Sequence, residues 1–188
     1  MVTVRQGLSL EEFLRLPEEK PALEYEADGT VTQKVAPQGK HSRLQLMLSN
    51  RLNDFAEPAR LAMAFPELRT TFAGASYVPD VALYLWDRIP WDANGEVPDE
   101  FYEPPDIAIE ILSPEQRRNR LRARCEWYVE HGVRLSLLVD PRTRQVDRFR
   151  PGARLETLQG DDQIDFAPIL AGLQLTVDEL FGWLRGGR

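Results

Sequence analysis

Apolar positions along the chain fall into two periods, three-to-four and two. Leu44, Met47, Leu48, Leu52 and Phe55 share one face of a 3.6-residue repeat, which predicts an amphipathic helix over 41–56. Ser9-Leu10-Glu11-Glu12 carries the Ser-x-x-Glu pattern that caps a helix N-terminus, opening a short helix to Leu16. Thr176-Val177-Asp178-Glu179 repeats it for a last helix through Leu184. Leu23 to Glu26 and Thr30 to Val35, joined at Ala27-Asp28-Gly29, read as strand, tight turn and strand. Leu61 to Phe72 and Tyr77 to Trp86 are β-rich runs joined by Ala73-Gly74-Ala75-Ser76, and read as one hairpin. Ile107 to Leu112 is continuously apolar except for Glu110, the pattern of a central, buried strand. Pro114 suits the first turn of a helix that stops at His131-Gly132, with Ser113 as its cap. Leu135 to Val139, Gln145 to Arg150, Arg154 to Leu158 and Gln163 to Phe166 are further strands. Asp87 to Pro105 is a long, proline-punctuated loop. The order predicts an α/β protein with a mixed β-sheet flanked by helices and added β-hairpins. Ile107–Leu112, the helix after it and Leu135–Val139 form a parallel βαβ unit. With no repeat or linker, residues 1–188 read as a single domain.

Composition narrows the class. A 43% hydrophobic chain with 28% charged residues is globular, not disordered. No window approaches the roughly 20 apolar residues of a membrane span. The opening MVTVRQGLSLEEF lacks a basic stretch followed by an apolar run, so no secretory leader is expected. A single cysteine, Cys125, excludes an internal disulfide and a multi-cysteine metal site; its mid-helix position suits the core. These features fit a cytoplasmic protein of a microbe. The net charge is −7, yet the segment 114–150 holds ten Arg against five acids and is positive by 5. Such a block is either a phosphate-facing surface or a set of solvated, paired arginines.

Two acids stand inside otherwise apolar strands: Asp80 in Tyr77-Val-Pro-Asp-Val-Ala-Leu83 and Glu110 in Ile107-Ala-Ile-Glu-Ile-Leu112. A buried carboxylate is costly unless paired or bound to metal. Either each pairs with one of the many arginines, or the two converge as a hard oxygen site suited to Mg²⁺ or Mn²⁺. Trp86 and Trp91 flank the long loop and are expected to anchor it.

Pro79-Asp80 followed by Pro105-Asp106-Ile-Ala-Ile-Glu110-Ile-Leu-Ser113-Pro114 resembles the Uma-type family of putative restriction endonucleases, within the PD-(D/E)XK nuclease superfamily. Leu23-Glu24-Tyr25 before Asp28-Gly29 resembles its first strand, and Lys34-Val35-Ala36-Pro37 with Lys40-His41-Ser42 its helix entry. Tyr128 with His131-Gly132-Val133, then Leu138-Val139-Asp140-Pro141, resembles the segment after the catalytic strand. The resemblance implies a restriction-endonuclease-like fold and an Mg²⁺-dependent endonuclease acting on DNA. It makes Asp80 and Glu110 metal ligands, Glu24 a third acid beside them and His41 a residue lining the site. Its alternative is a nuclease-fold module that binds nucleic acid or a protein partner without turnover.

One departure matters. The superfamily pattern places Lys two residues after the second acid, where this chain has Leu112; the resembled family carries its basic residue on the following helix. That helix offers arginines, of which Arg117, Arg118, Arg120 and Arg124 are the candidate phosphate binders. Arg does not deprotonate in proteins, whereas Lys can orient and help deprotonate water. Lys34, on a strand face with Thr30 and Thr32, is the lysine able to serve, if it points at the Asp80/Glu110 pair. Double-strand cutting would need two sites, most simply in a homodimer.

Overall fold

The computed structural model describes residues 2–5 and 7–186. Eleven strands and four helices are present among them, in the order β1 (Val2–Arg5), α1 (Leu10–Leu14), β2 (Leu23–Tyr25), β3 (Val31–Gln33), α2 (Gly39–Ala56), β4 (Ala62–Pro66), β5 (Thr70–Phe72), β6 (Ala75–Tyr77), β7 (Val81–Leu85), β8 (Ile107–Ile111), α3 (Arg118–Glu130), β9 (Leu135–Asp140), β10 (Gln145–Phe149), β11 (Glu156–Gln159) and α4 (Val177–Gly182). Both predicted capping boxes form, at Ser9–Glu12 and Thr176–Glu179.

Two sheets organise the chain. The larger runs β11-β10-β9-β8-β7-β4 and is mixed, because β8 and β9 pair in parallel across α3 while the other neighbours are antiparallel. The smaller runs β1-β3-β2-β6-β5. The large sheet is covered on both faces, and the period of two sorts its residues. Ile107, Ile109 and Ile111 join Leu44, Leu48 and Leu52 of α2 and Leu180 and Phe181 of α4 in the main core. Ala108 packs toward Tyr128, and Leu112 toward Leu121 and Cys125 of α3. Glu110 alternates with Ala108 and Leu112 and so lies on the α3 face.

The structure revises four details of the sequence reading. The hairpin of residues 61–86 is two hairpins end to end. Its outer halves, β4 and β7, pair in the large sheet, and its tip, β5 and β6, pairs in the small one. Glu67 takes φ 50° and Pro79 has no N–H, so the ladder breaks where the chain leaves one sheet for the other. The helix after Ser113 starts at Arg118: residues 113–116 form a turn closed by Gln116 N–H on the Ser113 carbonyl. Ser113 therefore caps no helix; its own N–H donates to Gln116 Oε1. Residues 163–166 form no strand and touch their neighbour through one bridge, Gln163 to Thr176. The long loop is pegged by buried Phe101 and by contact between the Trp86 and Trp91 rings, centroids 5.1 Å apart.

Candidate functional site

The split hairpin builds the site. Its tip pairs with β2, opposing Ser76 to Tyr25, and so lays the small sheet against the end of β7. Asp80 immediately precedes β7; Glu110 lies in β8. Val81 opposes Ile109 across that antiparallel pair, which puts the two acids side by side. Each is about 2% exposed. Glu24 arrives on β2, Lys34 just after β3, His41 in the first turn of α2, and Arg124 and Tyr128 from α3.

Asp80 is saturated with donors. Lys34 Nζ donates to Oδ1 at 2.6 Å and to the Val78 carbonyl at 2.7 Å. Oδ2 lies 3.0 Å from His41 Nε2 and accepts the Ile111 N–H at 2.7 Å. Gln45 Nε2 donates to the Asp80 carbonyl, tying α2 to the same point. Burial would raise the Asp80 carboxyl, but the Lys34 charge and the His41 contact overturn it and hold the group well below the usual carboxylate range. Lys34 is the mirror case. Burial would lower it, and the charges of Asp80, Glu110 and Glu24 hold it above the ordinary lysine value.

Glu110 has fewer partners. Tyr128 Oη donates to Oε1 at 2.8 Å, and Arg124 Nη1 stands off at 3.8 Å. Arg124 is held instead by Glu24, whose oxygens it meets at 3.0 and 2.8 Å, and by Glu26 at 3.2 Å, with its guanidinium over the Tyr77 ring. Burial and the neighbouring Asp80 charge push Glu110 up to about 8.

Of the residues singled out in the sequence, the fold thus brings Asp80, Glu110, Glu24, Lys34, His41 and Arg124 into one cluster. Arg120 sits at its rim on Glu26. Arg118 does not join it; with Arg122 it grips the buried Asp147 on β10. Arg117 lies exposed at the start of α3. The basic block is therefore largely paired: among the described residues, only Arg117 and Arg142 of its ten arginines form no ion pair. Sequence reasoning did not place Tyr128, Tyr77, Glu26 or Gln45 here. Tyr128 was findable, because four residues separate it from Arg124 on one helix face.

Two clefts reach the cluster. One, of about 770 Å³, is lined by Lys34, Val78, Phe65, Glu67 and Arg69. The other, of about 510 Å³, is lined by His41, Lys40, Ser113, Asp140 and Arg142.

The donor set fits a divalent ion. Mg²⁺ is usually held by one or two carboxylates, with water and substrate phosphate completing its octahedron. Asp80 and Glu110 supply hard oxygens side by side, and the raised Glu110 marks a point short of positive charge. Among the described residues, no group of three or more His, Cys, Asp or Glu is arranged to hold an ion by itself.

Comparison with known proteins agrees with the geometry. The sequence pattern of the Uma2 family, described as "Putative restriction endonuclease", matches residues 10–178. The chain superimposes with a TM-score of 0.92 on the crystal structure of a "putative nuclease belonging to DUF820" from Anabaena variabilis. The two are 38% identical, over 95% of this chain and 100% of that one. No curated protein matches the sequence. No helix among the described residues is long and apolar enough to cross a membrane.

Proposed function

The chain belongs to the Uma2 restriction endonuclease family, and from that premise we propose that it is a metal-dependent endonuclease that hydrolyses DNA phosphodiester bonds at the Asp80–Glu110 pair. The observation that carries this reading is the pair itself: two buried carboxylates on adjacent strands, ringed by Lys34, His41 and Arg124. A structural core has no use for such a pair, since each acid costs desolvation free energy.

Asp80 and Glu110 would hold Mg²⁺ or Mn²⁺. The ion would neutralise phosphate charge and acidify a water. His41 and the Ile111 N–H fix the Asp80 carboxylate in one orientation. Tyr128 does the same for Glu110. Glu24 serves as the anchor of Arg124, because both its oxygens are taken by that guanidinium. Lys34 remains protonated beside Asp80, so its role is to donate to a phosphate oxygen and stabilise charge, not to accept a proton. Arg124 faces the same pocket of charge and strengthens it. Lys40 and Arg142, which form no ion pair among the described residues, line the second cleft and suit the flanking phosphates. Cleaving both strands would require two such sites, which a symmetric homodimer would supply.

The test is incubation of supercoiled plasmid with the purified chain and Mg²⁺ or Mn²⁺. Nicked or linear product is expected, lost with chelator and in Asp80→Asn and Glu110→Gln. Intact plasmid under every condition, with undiminished DNA binding, would favour the second reading, a module that binds without cutting. One observation speaks for that second reading: Lys34, His41 and the Ile111 amide already occupy both oxygens of Asp80.

A further inference from the structure

We propose that Lys34 is a resident counter-cation of this site, whose contact with Asp80 and the binding of a divalent ion exclude each other until a DNA phosphate draws the ammonium away. The proposal rests on the reading of Asp80 and Glu110 as the ion's ligands.

Asp80 has two oxygens to offer. Oδ2 receives two donors, His41 Nε2 at 3.0 Å and the Ile111 N–H at 2.7 Å, and the second belongs to the end of β8 and cannot swing aside. Oδ1 receives only the Lys34 ammonium, at 2.6 Å. The one oxygen free to turn toward an ion is thus the one the lysine holds. The ammonium also carries the charge an ion would bring, and it faces Glu110 and Glu24 as well as Asp80. A divalent ion a few ångströms from an ammonium is repelled by several times thermal energy, even at an effective dielectric of about 20.

The lysine is placed to leave. Its side chain lines the cleft of about 770 Å³, and its second anchor is a single carbonyl, that of Val78. A four-carbon stem allows that displacement without backbone movement. Arg124 cannot do the same, because two carboxylates and an aromatic face fix its planar fork. The site therefore holds one fixed and one exchangeable cation. DNA, by offering Lys34 a phosphate, raises ion affinity, and by reciprocity the ion raises DNA affinity.

The experiment is a Mn²⁺ titration of the full chain without DNA, read from the electron paramagnetic resonance signal of free Mn²⁺. Variants are Lys34→Met, Lys34→Gln, Lys34→Arg, Asp80→Asn and Glu110→Gln, each checked for folding by circular dichroism. Lys34→Met and Lys34→Gln should bind at least about tenfold tighter than the unmodified chain, roughly 1.4 kcal/mol. Lys34→Arg, which keeps the charge, should not. Adding Asp80→Asn to Lys34→Met should abolish the gain. If neutral variants at 34 bind no tighter while Asp80→Asn still weakens binding, the counter-cation is refuted and the metal site survives. If Asp80→Asn and Glu110→Gln leave Mn²⁺ affinity untouched, the metal site itself falls, and this proposal with it. Should Lys34→Met fail to fold without metal, Lys34→Gln decides by the same comparison.

Discussion

Asp80 and Glu110 are strand neighbours of equal burial, and the protein treats them in opposite ways. Asp80 is surrounded by a lysine, a histidine and a backbone amide and stays ionised. Glu110 has a tyrosine and an arginine already committed to Glu24 and Glu26, and its carboxyl is pushed upward. Burial is common to both, so the difference lies in how many donors each acid receives. The pair is thereby asymmetric: Asp80 is held well below the usual carboxylate range, and Glu110 well above it. Helix α3 repeats the contrast on its two sides. Arg124 is buried among acids at the site, whereas Arg118 and Arg122 share Asp147 at a partly exposed edge.

The sharpest way to break the contrast is Arg124→Ala. It leaves fully buried Glu24 without the guanidinium that holds both its oxygens, and loss of one partner of a buried pair costs about 3–5 kcal/mol; the unfolding free energy extrapolated from urea titration should fall by that amount. Asp80→Asn keeps the shape and removes the fixed charge. Its cleavage rate with Mg²⁺ should fall by about 10²–10³-fold, as loss of a preorganised electrostatic group does, measured as plasmid nicking. Lys34→Met should slow cleavage by about 10²-fold, the lower range for loss of one preorganised charge-stabilising donor, while ion affinity rises. Opposite movement of the two readouts separates a phosphate contact from a folding defect.

Glu110→Gln tests the other member through pH. The folded carboxyl titrates near 8, against an ordinary value of 4.5. Between those values the folded state keeps a proton that the unfolded state releases, so raising pH costs stability across that window. Below about 4.5 both states are protonated and the effect vanishes. In metal-free buffer, Glu110→Gln should melt higher than the parent at pH 8 to 9 and converge with it near pH 4. The smallest effect belongs to the far edge of α3. Arg122→Ala should cost below about 1 kcal/mol, because Asp147 retains Arg118 and Thr157.

Much of this was legible in the residues. Helix α2, both capping boxes, the β8–α3–β9 unit and the burial of Glu110 follow from local period and capping chemistry, which act within a few residues. Asp80 and Glu110 stood out for the same reason: a carboxylate in an apolar strand is conspicuous whatever the fold. The polar face of Lys34 was readable from Thr30 and Thr32. Other features depend on contacts between distant segments. Local pattern made residues 61–86 one hairpin, because all of them favour extended backbone. Only the rest of the molecule, by offering β2 as a partner for the tip, decided that the run divides between two sheets. That division sets Glu24 and Lys34 over Asp80. Likewise the four arginines of α3 are equivalent as sequence. Packing alone distinguished Arg124, turned into the acids, from Arg118 and Arg122, turned to Asp147, because an arginine's partner is set by which acids the tertiary fold brings within its reach.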